Sequence, residues 1–465
     1  MEITKELYAA HRGLSLASTQ FLEFVSRCPA CLQRSNFNTL LSDRRYEYFQ
    51  SQPWPTFINQ ETKKKMKEAA VNVFNLIKTI PQRLFNYDVG KISRYYGFSE
   101  GDSTLMLYGV NHGHMRHLLG RGDFIFSPSA GFKCLEFNIQ GNLGGWELDE
   151  LEPLYINTPV ISEFLEAYHL QLRKNKFFSI LMDHLSASAR EYFGDNIHGK
   201  VNAAIVFREY LKGLSKSQDS FLKELVNYLH QVKNKDVIGE VVFCGLNQLQ
   251  VPENKVMLED KPIHMMIQRF TGHVPLELMK VVKDGNLIIF NGQVSLLLTN
   301  KLNLALLSQH QDSDVFSPEE KEIIREHIPW TRKIIPGETT YGREKVNLEN
   351  FILSNREQLV MKPGEGYGGH DVIVGFNTPA AQWKQQLEQV LSEKNWVVQE
   401  YVPSFPYLYQ AGDEGCAAHH AVWGLFVFGC RYAGGFVRIL PEKGNKGVIN
   451  SHQGAEESII LEVDE

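Results

Sequence analysis

The strongest chemical signal in the chain is a lysine at the end of an apolar run, followed by a cluster of glycines. It reads Lys362-Pro-Gly-Glu365-Gly366-Tyr-Gly368-Gly369-His, after QLVM and before DVIVG. Glycines at such spacing let backbone N–H groups close around an anion, and the lysine adds a point charge suited to phosphate. The GK[ST] ending of a Walker loop is absent. A strand pattern, not a helix, follows, which excludes the dinucleotide fingerprint. A glycine-rich hairpin covering a nucleotide satisfies the pattern, and a plain hairpin turn is the competing reading.

Two other segments carry weaker signals. Trp396-Val-Val-Gln399-Glu400-Tyr-Val402 is an apolar run that turns polar, and the edge of such a strand can offer backbone donors and acceptors to an adenine ring. Glu136-Phe-Asn138 places two oxygen-bearing side chains on one strand face, because strand side chains alternate. Mg²⁺ takes oxygen ligands and shares them with substrate phosphates. Cys28-Pro-Ala-Cys31 is a lone CxxC. With no second pair and no thioredoxin-like strand before it, it reads as ordinary cysteines ahead of a metal or redox site.

These residues need elements to hold them. Met66, Ala69, Ala70, Val73, Phe74 and Ile77 recur at helical spacing, so a helix is expected over 61–80, stopped by Pro81. GDFIFSPSAGFKCLEFN reads as a hairpin turning at 127–131. VNAAIVF (201–207), a helix around Phe221–Val232 and the strand GEVVFC form a strand–helix–strand crossover, hence a small parallel α/β layer. Asn300-Lys301 opens a helix. Ser317, Pro318 and Glu320 form an N-cap, first helical turn and capping box. The last 110 residues alternate strands with one long helix over 380–394.

The composition bounds the class. The chain has 465 residues, is 43% hydrophobic and 22% charged, and carries a net charge of −6. There is ample material for a packed core, so a disordered chain is excluded. The acidic balance argues against a nucleic-acid partner. No run approaches 18 apolar residues, which argues against a membrane span. The N-terminus lacks the apolar core of a secretory signal, and six cysteines make no disulfide framework. A soluble cytoplasmic protein is the expectation.

Taken in order, the motifs resemble the circularly permuted ATP-grasp enzymes, the group containing eukaryotic glutathione synthetase and glutathionylspermidine-synthase-like ligases. RGDFIFSPSAGFKCLEFN is similar to that group's Arg-x-Asp and Glu-x-Asn strands. TNKLNLALLSQ is similar to its Asn-Lys helix start, and REHIPWTRKI to the segment before its ATP loop. VMKPGEGYGGHDVIVG, WVVQEYV, GGFVRI and VINSHQG then follow in the group's order. The acidic segment precedes the glycine loop, whereas unpermuted ATP-grasp chains have it after. The resemblance covers about residues 100–455.

It implies a mixed α/β fold with these parts: a mainly helical N-terminal region (1–100), a strand hairpin and helical segment supplying metal ligands (101–200), a small α/β substrate-side domain (201–300), and an ATP-grasp nucleotide domain (301–465). It implies ATP and Mg²⁺ as cofactors. Lys301 and Lys362 would contact ATP, and Gly366, Gly368 and Gly369 would cover the triphosphate. Gln399, Glu400 and Val402 would sit at the adenine, and Asn450 and Gly454 in the closing segment. Glu136, Asn138 and Glu365 would hold the metal. Arg438 would steady the substrate carboxylate and the transferring phosphate, Arg121 would bind an acidic substrate, and Asp123 would support its strand or pair with Arg121. Two departures bear on the substrate loops. The closing segment reads Asn450-Ser-His-Gln-Gly-Ala in place of Asn followed by Gly-Gly, and Asn291-Gly292 stands where Asn-Pro is usual.

The implied activity is ATP-dependent ligation of a small acid, peptide or polyamine-type pair of a carboxylate and an amine. The carboxylate attacks the γ-phosphorus to give an acyl phosphate and ADP, and the amine then displaces phosphate. Phosphoryl transfer needs positioning and charge neutralisation more than a protein nucleophile, so the lack of a Ser-His-Asp or reactive-cysteine motif is no objection. The alternatives are a non-catalytic nucleotide-binding or scaffold protein on the same fold, and a kinase that stops at the phosphorylated product.

Overall fold

The computed structural model describes residues 4–28, 51–108, 110, 114–127, 131–140, 143–145, 148–174, 176–194, 199–209, 216–366, 369, 371–411, 415–443 and 447–465. Gly368, Cys31 and the hairpin turn at 128–130 lie outside them. Cys28 is disulfide-bonded, which corrects its reading as an ordinary cysteine.

The strands of the three largest sheets fall, in chain order, into four groups. The first is β1 (Thr56–Ile58), β2 (Leu119–Ser127), β3 (Gly131–Asn138) and β4 (Gln171–Arg173). The second is β5 (Val201–Phe207), β6 (Ile238–Gly245), β7 (Met265–Gln268) and β8 (Ile288–Phe290). The third is β9 (Thr331–Lys333), β10 (Leu359–Pro363), β11 (Ile373–Val374) and β12 (Trp396–Glu400). Four more close the chain: β13 (Pro406–Ala411), β14 (Gly415–Phe428), β15 (Arg431–Pro441) and β16 (Glu456–Asp464).

The first and last groups make one large sheet, in the order β1-β16-β15-β14-β2-β3, with β13 beside β14 and β4 beside β16. Its pairs are antiparallel except β1 with β16, which runs parallel. A strand from the first sixty residues thus lies against one from the last ten. The 24-residue helix Gln60–Arg83 packs across this sheet, burying Met66, Ala69, Ala70, Val73, Phe74, Ile77 and Ile80. Each large apolar side chain so buried stabilises by about 1.5–3 kcal/mol. Pro81 does not stop the helix, which runs two residues further. So close to the end, its missing N–H removes one hydrogen bond and breaks no continuing turn.

The second group is a parallel sheet, β8-β7-β5-β6. Helix Lys216–Val232 makes the crossover from β5 to β6, as the strand–helix–strand pattern predicts. The third group is antiparallel, β9-β12-β10-β11. Helix Ala380–Glu393 covers it with Trp383, Leu387 and Val390 packed on Ile334, Leu359, Met361 and Val398. Ser317 caps helix Pro318–His327 with the capping box expected of it. Among the described residues no helix is long and apolar enough to cross a membrane.

Candidate active site

A cleft runs between the small antiparallel sheet and the large sheet. Its narrow arm is lined by Lys362, Lys301, Gly366, Gly369, Gln399, Glu400, Val402, Arg438 and Asn450, among others. Its wide arm, about 940 Å³, is lined by Asp102, Arg121, Glu136, Asn138, His273, Glu365 and Glu457, among others. Glu136, Gly366, Arg438 and Asn450 border both arms. Gly368 lies outside the described residues and Gly454 is not part of the lining; the other residues singled out for the site line this cleft.

Lys362 ends β10 on the buried side. Its Nζ donates to Gln399 Oε1 at 2.7 Å, and Gln399 is braced by Thr331 Oγ1 at 3.1 Å. Burial pulls the Lys362 ammonium down to about 8, against the pull of Glu136 and with help from nearby Lys301. Lys301 caps helix Leu302–Gln309. Its Nζ sits 3.2 Å from Glu136 Oε2 and donates to the Gly366 carbonyl at 2.9 Å. A buried lysine on a neutral amide and a second lysine at the mouth of the glycine loop give two cationic anchors. Gly366 holds φ +132°, which side chains rarely adopt. At Gly364 a Cβ would stand 2.9 Å from Asn300 Oδ1 and 3.0 Å from the Asn395 carbonyl. The loop can lie this close to the helix start only without a side chain there.

The adenine segment differs from its expectation. β12 is an inner strand, paired with β9 and β10 on its two sides. The Glu400 N–H is taken by the Trp330 carbonyl and the Tyr401 N–H by the Gln358 carbonyl. Gln399 points its side chain at Lys362 and not into an open edge. Gln399, Glu400, Tyr401 and Val402 all line the narrow arm, the last two past the end of the strand.

On the large sheet, Arg121 and Asp123 share a face of β2, paired with Asn138 and Glu136 of β3. Arg121 grips Asp123 with Nε at 2.9 Å and Nη2 at 3.2 Å. Arg438, from β15, reaches Asp123 Oδ2 at 2.6 Å across the intervening β14. Gly424 of β14 lies opposite Asp123. A Cβ there would come within 3.2 Å of the Arg121 stem and 3.0 Å of the Phe436 ring. Burial alone would push the Asp123 carboxyl up; the two guanidiniums outweigh it and hold it well below the usual carboxylate range. Arg438 is buried and, through Asp123, raised above its ordinary value despite burial. Among the described residues its Nε has no hydrogen-bond partner.

Glu136 and Asn138 are neighbours, with Asn138 Nδ2 at 3.3 Å from Glu136 Oε1 and at 3.3 Å from Asp123 Oδ2. Two oxygen-bearing side chains on the wall of the wide arm suit Mg²⁺, which completes its shell with phosphates and water. Glu365 lies on the same wide arm, its carboxyl pushed up by burial and by Asp102. No three His, Cys, Asp or Glu side chains among the described residues gather as a metal centre.

Three residues of the wide arm, Asp102, His273 and Glu457, carried no sequence signal.

No family model matches the chain. A protein of Frankia casuarinae (strain DSM 45818 / CECT 9043 / HFP020203 / CcI3), named as a glutamate–cysteine ligase 2-2, is 31% identical over 112 residues, 22% of this chain. The match spans 12% of that protein's length. A crystal structure from Methylobacillus flagellatus KT, described as a gamma-glutamylcysteine synthetase, superposes with a TM-score of 0.44 at 9% identity, covering 77% of this chain and 86% of that one.

Proposed function

We propose that the chain is an ATP-dependent carboxylate–amine ligase on a circularly permuted ATP-grasp fold. The observation that carries the reading is the meeting, in one cleft, of two lysines, a glycine loop, the Glu136–Asn138 pair and a buried arginine. They come from segments spread over more than 300 residues. The partial match to a protein named as a glutamate–cysteine ligase agrees with the reaction class.

Each residue has a task. Lys362 and Lys301 neutralise phosphate oxygens, and the glycine loop donates backbone N–H groups and keeps water from the reacting centre. Glu136 and Asn138, with Glu365, would hold Mg²⁺, which would supply neutralisation of phosphate charge. Val402 packs beside the adenine. Arg438 presents its guanidinium to the substrate carboxylate and the transferring phosphoryl group, and Arg121 and Asp123 fix its position. The carboxylate oxygen bonds to the γ-phosphorus as the bond to ADP breaks. The amine nitrogen then bonds to the acyl carbon, phosphate leaves, and the amine proton passes to solvent.

The test is MgATP calorimetry on the wild type and on Lys362→Met, followed by a screen of acid–amine pairs for release of ADP and phosphate. Saturable binding that the variant loses is expected. A folded wild type that binds no MgATP overturns the reading.

A further inference from the structure

We infer that His273 is a specificity-determining hydrogen-bond donor for the amine substrate, and that it reads an amide-type group, not a free carboxylate. The inference deepens the ligase reading, assigning the acceptor side of the same cleft.

His273 stands on the loop between β7 and helix Leu276–Lys283, facing the wide arm. Its ring is held from behind by Gln293, a buried residue of the loop after β8. The orientation of that glutamine is fixed by the backbone. The Val274 N–H donates to Gln293 Oε1 at 3.0 Å, and an N–H can face only the oxygen end of the amide. Gln293 must therefore turn its NH₂ toward His273 Nδ1. A nitrogen that accepts from an amide carries no proton, so the neutral ring bears its hydrogen on Nε2. Gln293 is a positioning residue that makes His273 a donor into the cavity and denies it the role of base.

What the donor meets is set by Asp102, from helix Glu100–Tyr108. Asp102 Oδ1 lies 3.7 Å from His273 Nε2, beyond hydrogen-bond length. The other carboxylate oxygen already accepts from Ser99 Oγ at 2.7 Å. Both side chains are open to the cavity, His273 at 52% and Asp102 at 42% exposure. The pair offers one donor and one anionic acceptor side by side. An amide supplies the matching C=O and N–H together. A carboxylate would satisfy His273 only by crowding its charge against Asp102, and like-charge juxtaposition is a strong rejecting device.

The experiment uses the full chain labelled with ¹⁵N-histidine. Two-bond ¹H–¹⁵N spectra are taken at about pH 8, and the His273 signals are assigned with His273→Gln. The wild type is expected in the Nε2–H form. Gln293→Glu keeps the acceptor for Val274 but sets an oxygen against Nδ1, so the proton should move to Nδ1. Glycinamide should shift the His273 Nε2 signal in the wild type, with glycine weaker by roughly tenfold, the worth of about one hydrogen bond. The variant should lose that preference. An Nδ1–H ring in the wild type, an equal response to the two probes, or a response to neither overturns the inference. MgATP binding is a separate readout: its failure overturns the ligase reading and leaves the tautomer result standing.

Discussion

Two buried cations face the same cleft, and they are buried on opposite terms. Lys362 is sunk under the small sheet against a neutral amide, and burial drags its ammonium down to about 8. Arg438 is sunk in the large sheet against a full carboxylate, which Arg121 shares, and its charge is reinforced. The first arrangement leaves a charge under-compensated, and the arrival of an anion relieves it. The second is balanced within the protein, which holds the guanidinium in one place and keeps its charge.

The comparison breaks most easily at Asp123. Asp123→Asn removes the counter-charge of two guanidiniums, one of them buried, and breaking a buried pair from one side costs about 3–5 kcal/mol. A drop of that size in unfolding free energy is expected from urea titration, along with loss of turnover. The pH dependence has a definite sign. The Asp123 carboxyl is held below its ordinary value, so its contribution is whole at neutral pH and is lost as acid protonates it, below the usual carboxylate range. A variant that unfolds at wild-type urea would show the triad to be incidental.

Lys362→Met should behave the other way. Deleting an under-compensated buried charge and keeping its volume should leave stability unchanged or raised. Losing a charged hydrogen bond to phosphate should weaken MgATP binding by about 1.5–3 kcal/mol, roughly 10- to 100-fold. Calorimetry and thermal unfolding on the same sample read both. Should the variant bind MgATP as well as the wild type, Lys362 is a structural lysine.

Wild-type pH titration sharpens the same contrast by a smaller amount. The folded value of about 8 lies below the ordinary 10.5. Between the two the unfolded chain binds more protons, so Lys362 makes the fold more stable as pH rises through that window. Anion binding runs oppositely: once the ammonium deprotonates above about pH 8, MgATP affinity should fall by up to roughly tenfold per pH unit. Affinity that stays flat between pH 7 and 9, with stability also flat, would show that Lys362 keeps an ordinary pKa.

The residues of the small sheet were legible because their signals are local. The run QLVMK, the glycines and DVIVG are contiguous, and β10 and β11 form around them. Glu136 and Asn138 were placed together by strand alternation alone. The inner position of β12 was not readable, because it depends on β9, more than 60 residues upstream, taking its other edge. The Arg438–Asp123 contact joins residues 315 positions apart across a third strand, and no periodicity encodes it. The parallel pairing of β1 with β16 is equally non-local. Pro81 misled for a local reason: a proline ends a helix only where the helix has further to go.

The mildest break is at Arg121. It is more open than Arg438, with its side chain 13% exposed against 7%. Its removal leaves Asp123 with a charged partner still in place, so no buried ion is stranded. Arg121→Met removes the guanidinium, which lies over the Phe436 ring and makes the two hydrogen bonds to Asp123. About 1–2 kcal/mol of stability should go, at the low end for charged hydrogen bonds, because water can reach the vacated side. The kinetic effect separates its two possible roles. If Arg121 only steadies Asp123, kcat falls modestly and the KM of the acid substrate holds. If it grips the substrate carboxylate, that KM rises while MgATP binding is untouched. The bidentate grip on Asp123 favours the first outcome, since a guanidinium already spent on one carboxylate has little left for another.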